Sequence, residues 1–246
     1  MLRSKWDLRC GTLSAHREEM YDEALENAQR GWWRSHSEPA IERAGRLKCM
    51  KKLIKIIKGI WYYTWGHIFS LFMYDKHYLT GRWFDGKLNG LCSTGWKWVV
   101  RDAVTRSITG DNCDARFPVA HGCRVVHPAN IEFHPDDLNN FQTFGIYYQA
   151  IGKITIGKGT YIGPNVGLIT ANHDPTDLDR HLPPKPIEIG ERCWIGMNSI
   201  ILGGVILGNG AVVGAGSVVT KSFPEGHCVI VGNPARKIRD VGIVSK

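Results

Sequence analysis

From Ile156 onward an aliphatic residue returns at every sixth position, and that period decides how the chain can fold. Ile156, Ile162 and Leu168 hold one phase, and after an interruption Ile189, Ile195, Ile201, Leu207, Val213 and Val219 hold it again. Glycine follows the aliphatic at Gly157, Gly163, Gly190, Gly196, Gly208 and Gly214. A fixed internal period marks a repeat architecture, here a solenoid. Each six-residue unit reads as a short strand and a turn, with one aliphatic pointing inward and small residues where the chain bends. Three units close a triangular coil of 18 residues, and coils stack at the strand spacing of about 4.8 Å. The aliphatics are core, because a repeat buries its inward side chains only against its neighbours. An earlier trace at Val119, Val125 and Ile131 is out of phase with the main run, which predicts an insertion between the two.

Composition agrees with this reading. Glycine supplies 28 of 246 residues, and sixteen of them fall between Gly145 and Gly232. Hydrophobic content of 43% and charged content of 22% exclude wholesale disorder. The seven cysteines form no CxxC pair, so neither a disulfide framework nor a zinc ribbon is indicated, and they read as reduced cysteines of an intracellular protein.

The chain divides into three stretches. Residues 1–49 are a polar N-terminal extension, Arg-rich and weakly patterned, and Met50 reads as a natural start after it. Residues 50–113 are a helical and irregular region. Within it 50–74 has helical period, with Lys51, Lys55 and Lys58 on one face and Leu53, Ile56, Ile57, Ile60 and Trp61 on another. Residues 75–117 mix Gly, Trp and charge and predict irregular structure with one or two short helices. Residues 114–240 hold the repeats. The net charge of +8 is uneven: seven basic residues and no acidic one lie between Arg43 and Lys58. Gly59–Tyr74 then carries no charge and seven aromatics, Trp61, Tyr62, Tyr63, Trp65, Phe69, Phe72 and Tyr74. That run is short of the roughly 20 apolar residues a spanning helix needs. With no apolar run at Met1–Cys10 to act as a secretory signal, a cytoplasmic protein is expected.

Leu168 and Ile189 are 21 residues apart, a jump of three out of phase, so residues 174–186 (DPTDLDRHLPPKP) are expected to leave the solenoid as a loop. His173 stands at the corner where that loop departs.

Four ordered stretches carry a family resemblance: ITIGKGTYIGPNVGLI, TANHDP, CWIGMNSIILGGVILG and GAGSVVTKSFPEGHCVIVGNPARKIR. The chain resembles the hexapeptide-repeat acyltransferases over residues 114–240, particularly the O-acetyltransferases that modify sugars in capsule, O-antigen and exopolysaccharide. The resemblance implies a mainly β fold, a left-handed parallel β-helix with a helical N-terminal segment. It implies a homotrimer, acetyl-CoA as co-substrate, a carbohydrate acceptor, no metal and no nucleic acid. His173 matches the general base of that family, and imidazole titrates near neutrality, as removing a proton from an attacking sugar hydroxyl requires. No GxSxG elbow suggests a covalent enzyme intermediate.

For the donor, the resemblance places coenzyme A contacts at Met197, Ala215, Thr220, Lys221, Arg236 and Arg239, in a groove shared by two subunits. Gly203, Gly204, Gly214 and Gly216 would let pantetheine approach the backbone, and the three cations suit its phosphates. For the acceptor, Thr143 or Gly145 occupies the place of an Asn found in the galactoside-type enzymes, and Asn139, Asn140 and Gln149 are the candidates to replace it. Trp194 reads either as a wall of the acetyl or acceptor pocket or as a corner aromatic.

Other readings are weaker. His121, His127 and His134 invite the zinc site of a carbonic anhydrase of this fold, but the spacing of six between His121 and His127 puts those two on adjacent faces rather than at one point. His173 and Asp177 spell HxxxD, the signature of an unrelated acyltransferase superfamily, where Gly follows the Asp; here Leu178 follows. An antibiotic acetyltransferase of the same fold has no use for the basic, aromatic helix. The long helical domain of a serine acetyltransferase is not visible, and an intact His173 with an intact CoA-type ending argues against a non-enzymatic scaffold. Residues 43–74 are expected either to rest on the inner membrane surface or to pack against the solenoid or trimer axis.

Overall fold

A computed structural model describes residues 23, 26, 27, 40–86 and 90–242. The chain divides into two units, Met1–Lys55 and Ile56–Lys246. In the first, the helix α1 (Ala40–Met73) begins; its described side chains there, from residue 44 to 55, are exposed. The helix expected over 50–74 thus starts ten residues earlier, directly after Pro39, a residue that suits a helix start and not a helix interior.

In the second unit a helix α2 (Thr94–Thr109) packs beside the C-terminal part of α1. This corrects the expectation of only short helices over 75–117. The buried face of α2 is Trp96, Val99, Val100, Ala103 and Arg106, with the helical spacing of three and four. Buried Asp102 and Arg106 interrupt its apolar stripe and hide the period. Their burial is matched by partners: Arg106 pairs with Asp102 and donates to Ala115 O at 2.8 Å, and Tyr74 donates to Asp102 at 2.7 Å.

The solenoid follows. Sheet A joins β1 (Arg124–Val126), β3 (Tyr147–Gln149), β6 (Gly167–Ile169), β11 (Ile200–Leu202) and β14 (Val218–Val219). Sheet B joins β2 (Ile131–Phe133), β4 (Ile154–Ile156), β9 (Ile187–Ile189) and β12 (Ile206–Leu207). Sheet C joins β5 (Tyr161–Ile162), β10 (Trp194–Ile195), β13 (Val212–Val213), β15 (Cys228–Gly232) and β16 (Ala235–Asp240). All pairings in sheets A and B are parallel; in sheet C only β15 with β16 is antiparallel. A hairpin of β7 (His173–Asp174) and β8 (Asp177–His181) stands apart. This is a left-handed parallel β-helix with a helical N-terminal segment.

The six-residue period maps onto three sides. Ile195 lies under Val213 and Ile201 under Val219, each 18 residues on, so three units make one coil. All nine aliphatics of the repeat are buried. The glycines that follow them sit where coils meet: a Cβ on Gly196 would lie 2.6 Å from Ala215 N, and one on Gly163 would lie 2.8 Å from Met197 N. Only a residue without a side chain allows that approach. At the N-terminal end the core turns aromatic, with Phe117, Phe133, Phe141 and Tyr148 in mutual ring contact. The insertion predicted between Ile131 and the main run is the 3-10 segment Pro135–Gln142, which takes the place of a strand on the third side.

Ile195 is fully buried, whereas Ile206, on a strand of the same solenoid, is 41% exposed. Ile195→Ala should cost about 3 kcal/mol by the general cavity scale, while Ile206→Ala should cost less than about 1 kcal/mol. Denaturant titration of both variants checks the phase of the repeat; equal losses would contradict it.

Candidate active site

His173 follows β6 of sheet A, at the corner where the chain should pass to sheet B. Across that corner the regular spacing fails. Ile162 and Ile195 are register partners 33 residues apart, against 18 for Ile195 and Val213, so fifteen residues are inserted. The insertion is a hairpin. Asp174 and Asp177 face each other across Pro175 and Thr176, and His173 faces His181. Asp then Pro at the first two positions is ordinary turn chemistry, and Asp174 Oδ1 closes the turn by accepting from Thr176 N at 2.9 Å and from its hydroxyl at 2.7 Å. The base of the loop is tied down by Leu182 N to Asn172 O at 2.9 Å and Lys185 N to Thr170 O at 2.8 Å. Pro186 O accepts from Gly204 N at 2.7 Å, which returns the chain to the next coil.

The hairpin orients the imidazole. His173 Nδ1 lies 2.7 Å from Leu178 O. A carbonyl oxygen can only accept, so Nδ1 is the donor here, and in the neutral ring Nε2 then carries the lone pair. His181 packs against the same ring, centroids 4.1 Å apart and planes tilted by 40°. Neither the Leu178 carbonyl nor His181 follows from the repeat period. The only hint in the sequence is Asp174-Pro175 at the start of the loop, which is turn chemistry. Asp177 does not contact His173 in the way an HxxxD motif would suggest: its Oδ1 accepts from Asp179 N at 3.3 Å, and the His173 hydrogen bond goes to Leu178.

The acceptor candidates separate. Gln149 Oε1 accepts from Ala171 N at 3.1 Å and so braces the strand that leads to His173. Asn139 Oδ1 accepts from Arg82 at 3.2 Å. Asn140 is buried and used at both ends of its amide, donating to Thr160 O at 2.9 Å and accepting from Ile162 N at 3.0 Å. Its side chain thereby serves as the missing strand neighbour of β5, a structural task that the sequence does not announce. Trp194 is 60% exposed on the outer face of sheet C, in register with Tyr161 and Val212. Sheet C lies across the solenoid from the corner that carries His173.

The donor candidates fall on two edges. Met197 and Ala215 are exposed one above the other at the edge between sheets C and A, where Gly216 N donates to Met197 O at 2.9 Å. Thr220 and Lys221 are exposed at the edge between sheets A and B, the edge that also bears His173. Arg236 and Arg239 are exposed on β16. Among the described residues none of these three cations forms an ion pair, whereas the neighbouring Lys237 is paired with Asp240 at 2.6 Å. The glycines also divide. A Cβ on Gly203 would lie 2.7 Å from Thr170 O and one on Gly214 would lie 2.5 Å from Val231 Cγ1, so coil packing demands both. Gly216 has open space around it and a left-handed φ of 70°.

His121, His127 and His134 do not converge: His127 occupies a left-handed corner position and His134 Nδ1 accepts from Asp136 N at 3.1 Å. Among the described residues no group of three or more His, Cys, Asp or Glu could hold a metal ion.

Comparison with known proteins identifies the class. A family model described as the hexapeptide repeat of succinyl-transferase matches residues 186–221. WbbJ of Escherichia coli, named for O-acetyl transfer in lipopolysaccharide biosynthesis, is 32% identical over 186 residues, covering 62% of this chain and 91% of WbbJ. The chain therefore belongs to the hexapeptide-repeat acetyltransferases. A Schizosaccharomyces pombe protein named as an acetyltransferase is 41% identical over 105 residues, 41% of this chain and 50% of that one. WcaF of Escherichia coli, named as a colanic acid biosynthesis acetyltransferase, is 41% identical over 105 residues, 43% of this chain and 53% of WcaF. The chain spans about half the length of several of the curated relatives it matches, the Schizosaccharomyces pombe protein among them.

The hairpin also sets a pH dependence. Arg180, then the hydroxyl and amide of Thr176, hold the Asp174 carboxyl below the usual carboxylate range. A carboxyl that ionises more easily folded than unfolded contributes stability above its unfolded pKa, near ~3.9, and loses it as pH falls through the lower folded value. Asp174→Asn should therefore melt below the parent protein from about pH 5 to 8, and the gap should close toward about pH 2. Melting curves across that range check it; a gap that widens in acid would contradict the assignment.

Proposed function

We propose that this chain transfers acetyl from acetyl-CoA directly to a hydroxyl of a sugar, in a surface polysaccharide or its precursor, with His173 as general base. The observation that carries this is the His173 ring, held at Nδ1 by Leu178 O, on an exposed corner and with no partner at Nε2 among the described residues. Acetyl-CoA would supply the activated acyl group. His173 Nε2 takes the proton of the acceptor hydroxyl as its oxygen bonds to the acyl carbon, and gives that proton to the departing sulfur. One base serves both halves, and no side chain needs to be acylated. The sugar acceptor is suggested by the printed names of WbbJ and WcaF. Acetyl-CoA is a cytoplasmic metabolite, and we place the enzyme there.

The exposed residues fit a CoA-sized ligand. Met197 and Ala215 would line the pantetheine arm beside open Gly216, and Lys221, Arg236 and Arg239, which form no ion pair among the described residues, would meet phosphates. Sheet A separates the Met197 edge from the edge that bears Lys221 and His173. A site assembled from two copies, each contributing one edge, would bring both sets to one ligand, and this supports a homotrimer with shared sites. Trp194, remote from His173 within one chain, would then serve the site of a neighbouring copy.

His173→Ala should lower acetyl transfer at least about 10²-fold, the general range for a positioned acid–base group, with circular dichroism and oligomer size unchanged. Near-full activity would place the base elsewhere. Sedimentation should give a trimer, and an active monomer at assay concentration would contradict the shared site. Mixing inactive His173→Ala protein with protein inactivated at the opposite edge by Met197→Glu/Ala215→Glu should restore part of the activity; no recovery after subunit exchange would place each site within one chain.

A further inference from the structure

Between Ile56 and Met73, α1 has two apolar faces, and the described residues cover one of them. Gly59, Tyr62, Tyr63, Gly66, Phe69, Met73 and Tyr74 turn toward the chain's own α2 and the segment before it. A Cβ on Gly66 would lie 2.7 Å from Trp96, and Tyr63 and His67 both make ring contacts with that Trp. The opposite side carries Ile57, Trp61, Trp65, Ile68 and Phe72, spaced by four, four, three and four, with Ile60 and Leu71 beside them. These side chains are exposed, Ile57 at 57%, Trp61 at 50%, Leu71 at 69% and Phe72 at 76%. At 1.5 Å per residue the stripe is about 22 Å long. Scattered apolar residues on a surface need no explanation, but a continuous stripe of this kind marks a contact surface.

We infer that this stripe lies in the surface of an anionic lipid bilayer. Three features choose that occupant. No helix among the described residues is long and apolar enough to cross a membrane, and the uncharged run stops after sixteen residues, so the fitting geometry is a helix lying in the interface. The two tryptophans on the exposed face are the residue type that settles at headgroup level. In sequence the stripe is preceded by seven basic residues from Arg43 to Lys58 with no acid among them, which match anionic headgroups. Packed about the three-fold axis of the proposed trimer, the stripes of the copies would bring equivalent residues together, and with them the basic run next to the stripe in sequence, like charge against like charge. The covered face makes the lipid contact rigid with respect to α2, because the helix is clamped through Trp96 rather than tethered by a loop.

This inference does not depend on acetyl transfer, and its test reads binding alone. The whole 246-residue chain would be floated with vesicles of phosphatidylcholine containing about one-quarter phosphatidylglycerol, and with pure phosphatidylcholine vesicles, at low and high salt. Binding to the anionic vesicles is expected at low salt, with a blue shift of tryptophan emission, and binding to neutral vesicles should be at least about tenfold weaker. Ile68→Glu, and separately Lys51→Glu/Lys52→Glu/Lys55→Glu/Lys58→Glu, should each reduce binding to anionic vesicles at least about tenfold while oligomer size and circular dichroism stay unchanged. No binding of the parent protein to anionic vesicles at low salt would overturn the inference. So would an Ile68→Glu variant that still binds them, or one that changes oligomer size, which would assign the stripe to a second copy.

Discussion

Amide–carbonyl bonds from each coil to the next hold every other feature in place. Trp194 N reaches Ala211 O at 2.9 Å, Gly196 N reaches Val213 O at 2.8 Å and Ile200 N reaches Ser217 O at 2.8 Å. Such bonds form only if successive coils approach to the strand spacing of about 4.8 Å along their whole perimeter, corners included. The corners set the limit, because there a Cβ would run into the backbone of the coil above. Glycine at those positions, and one inward aliphatic per side, are therefore a single requirement seen twice. A stack of coils also ends in open strand edges, which invite pairing with other chains. The aromatic cluster around Phe141 closes one end of the core, and β16 folds back along β15 to cover the last edge of sheet C.

The same rigidity explains why a hairpin can be set into the solenoid without loss of order. The ladder resumes immediately beyond it, with Ile187 N bonded to Lys153 O at 2.9 Å. The added cost is chiefly the closure entropy of a short loop, which grows slowly with length. In return the corner gains a side chain whose position is fixed from two directions. His173 is anchored to sheet A through Thr170 and Gln149, and its ring is oriented by the Leu178 carbonyl and the packed His181. In the proposed reaction a ring held this firmly would need no movement before taking a proton, which is the physical content of preorganisation.

The solenoid was legible because one inward residue in six is a strong periodic signal, and the phase break marked the corner at which His173 stands. The hairpin was less legible, since His181 and the Leu178 carbonyl act through geometry that no spacing announces. Asn140 was misleading for a related reason. A buried amide that completes a sheet and an exposed amide that binds a sugar are the same letter, and only the partners of both its ends separate them. The helix α2 stayed hidden because Asp102 and Arg106 sit on its buried face as a pair, so polarity no longer reports exposure. Gly203 and Gly214 show the reverse case, glycines that suit a ligand's approach by composition but are required by the neighbouring coil.

The most direct test of the account follows the acetyl group itself. Purified protein would be incubated with acetyl-CoA labelled in the acetyl carbon and a panel of surface polysaccharides and their precursors, and the label traced after separation of protein from glycan. Direct transfer by a base at His173 puts the label on a sugar as an ester that mild alkali removes, and leaves none bound to the protein. Label retained on a side chain, or found in an alkali-stable amide, would contradict direct transfer to a hydroxyl.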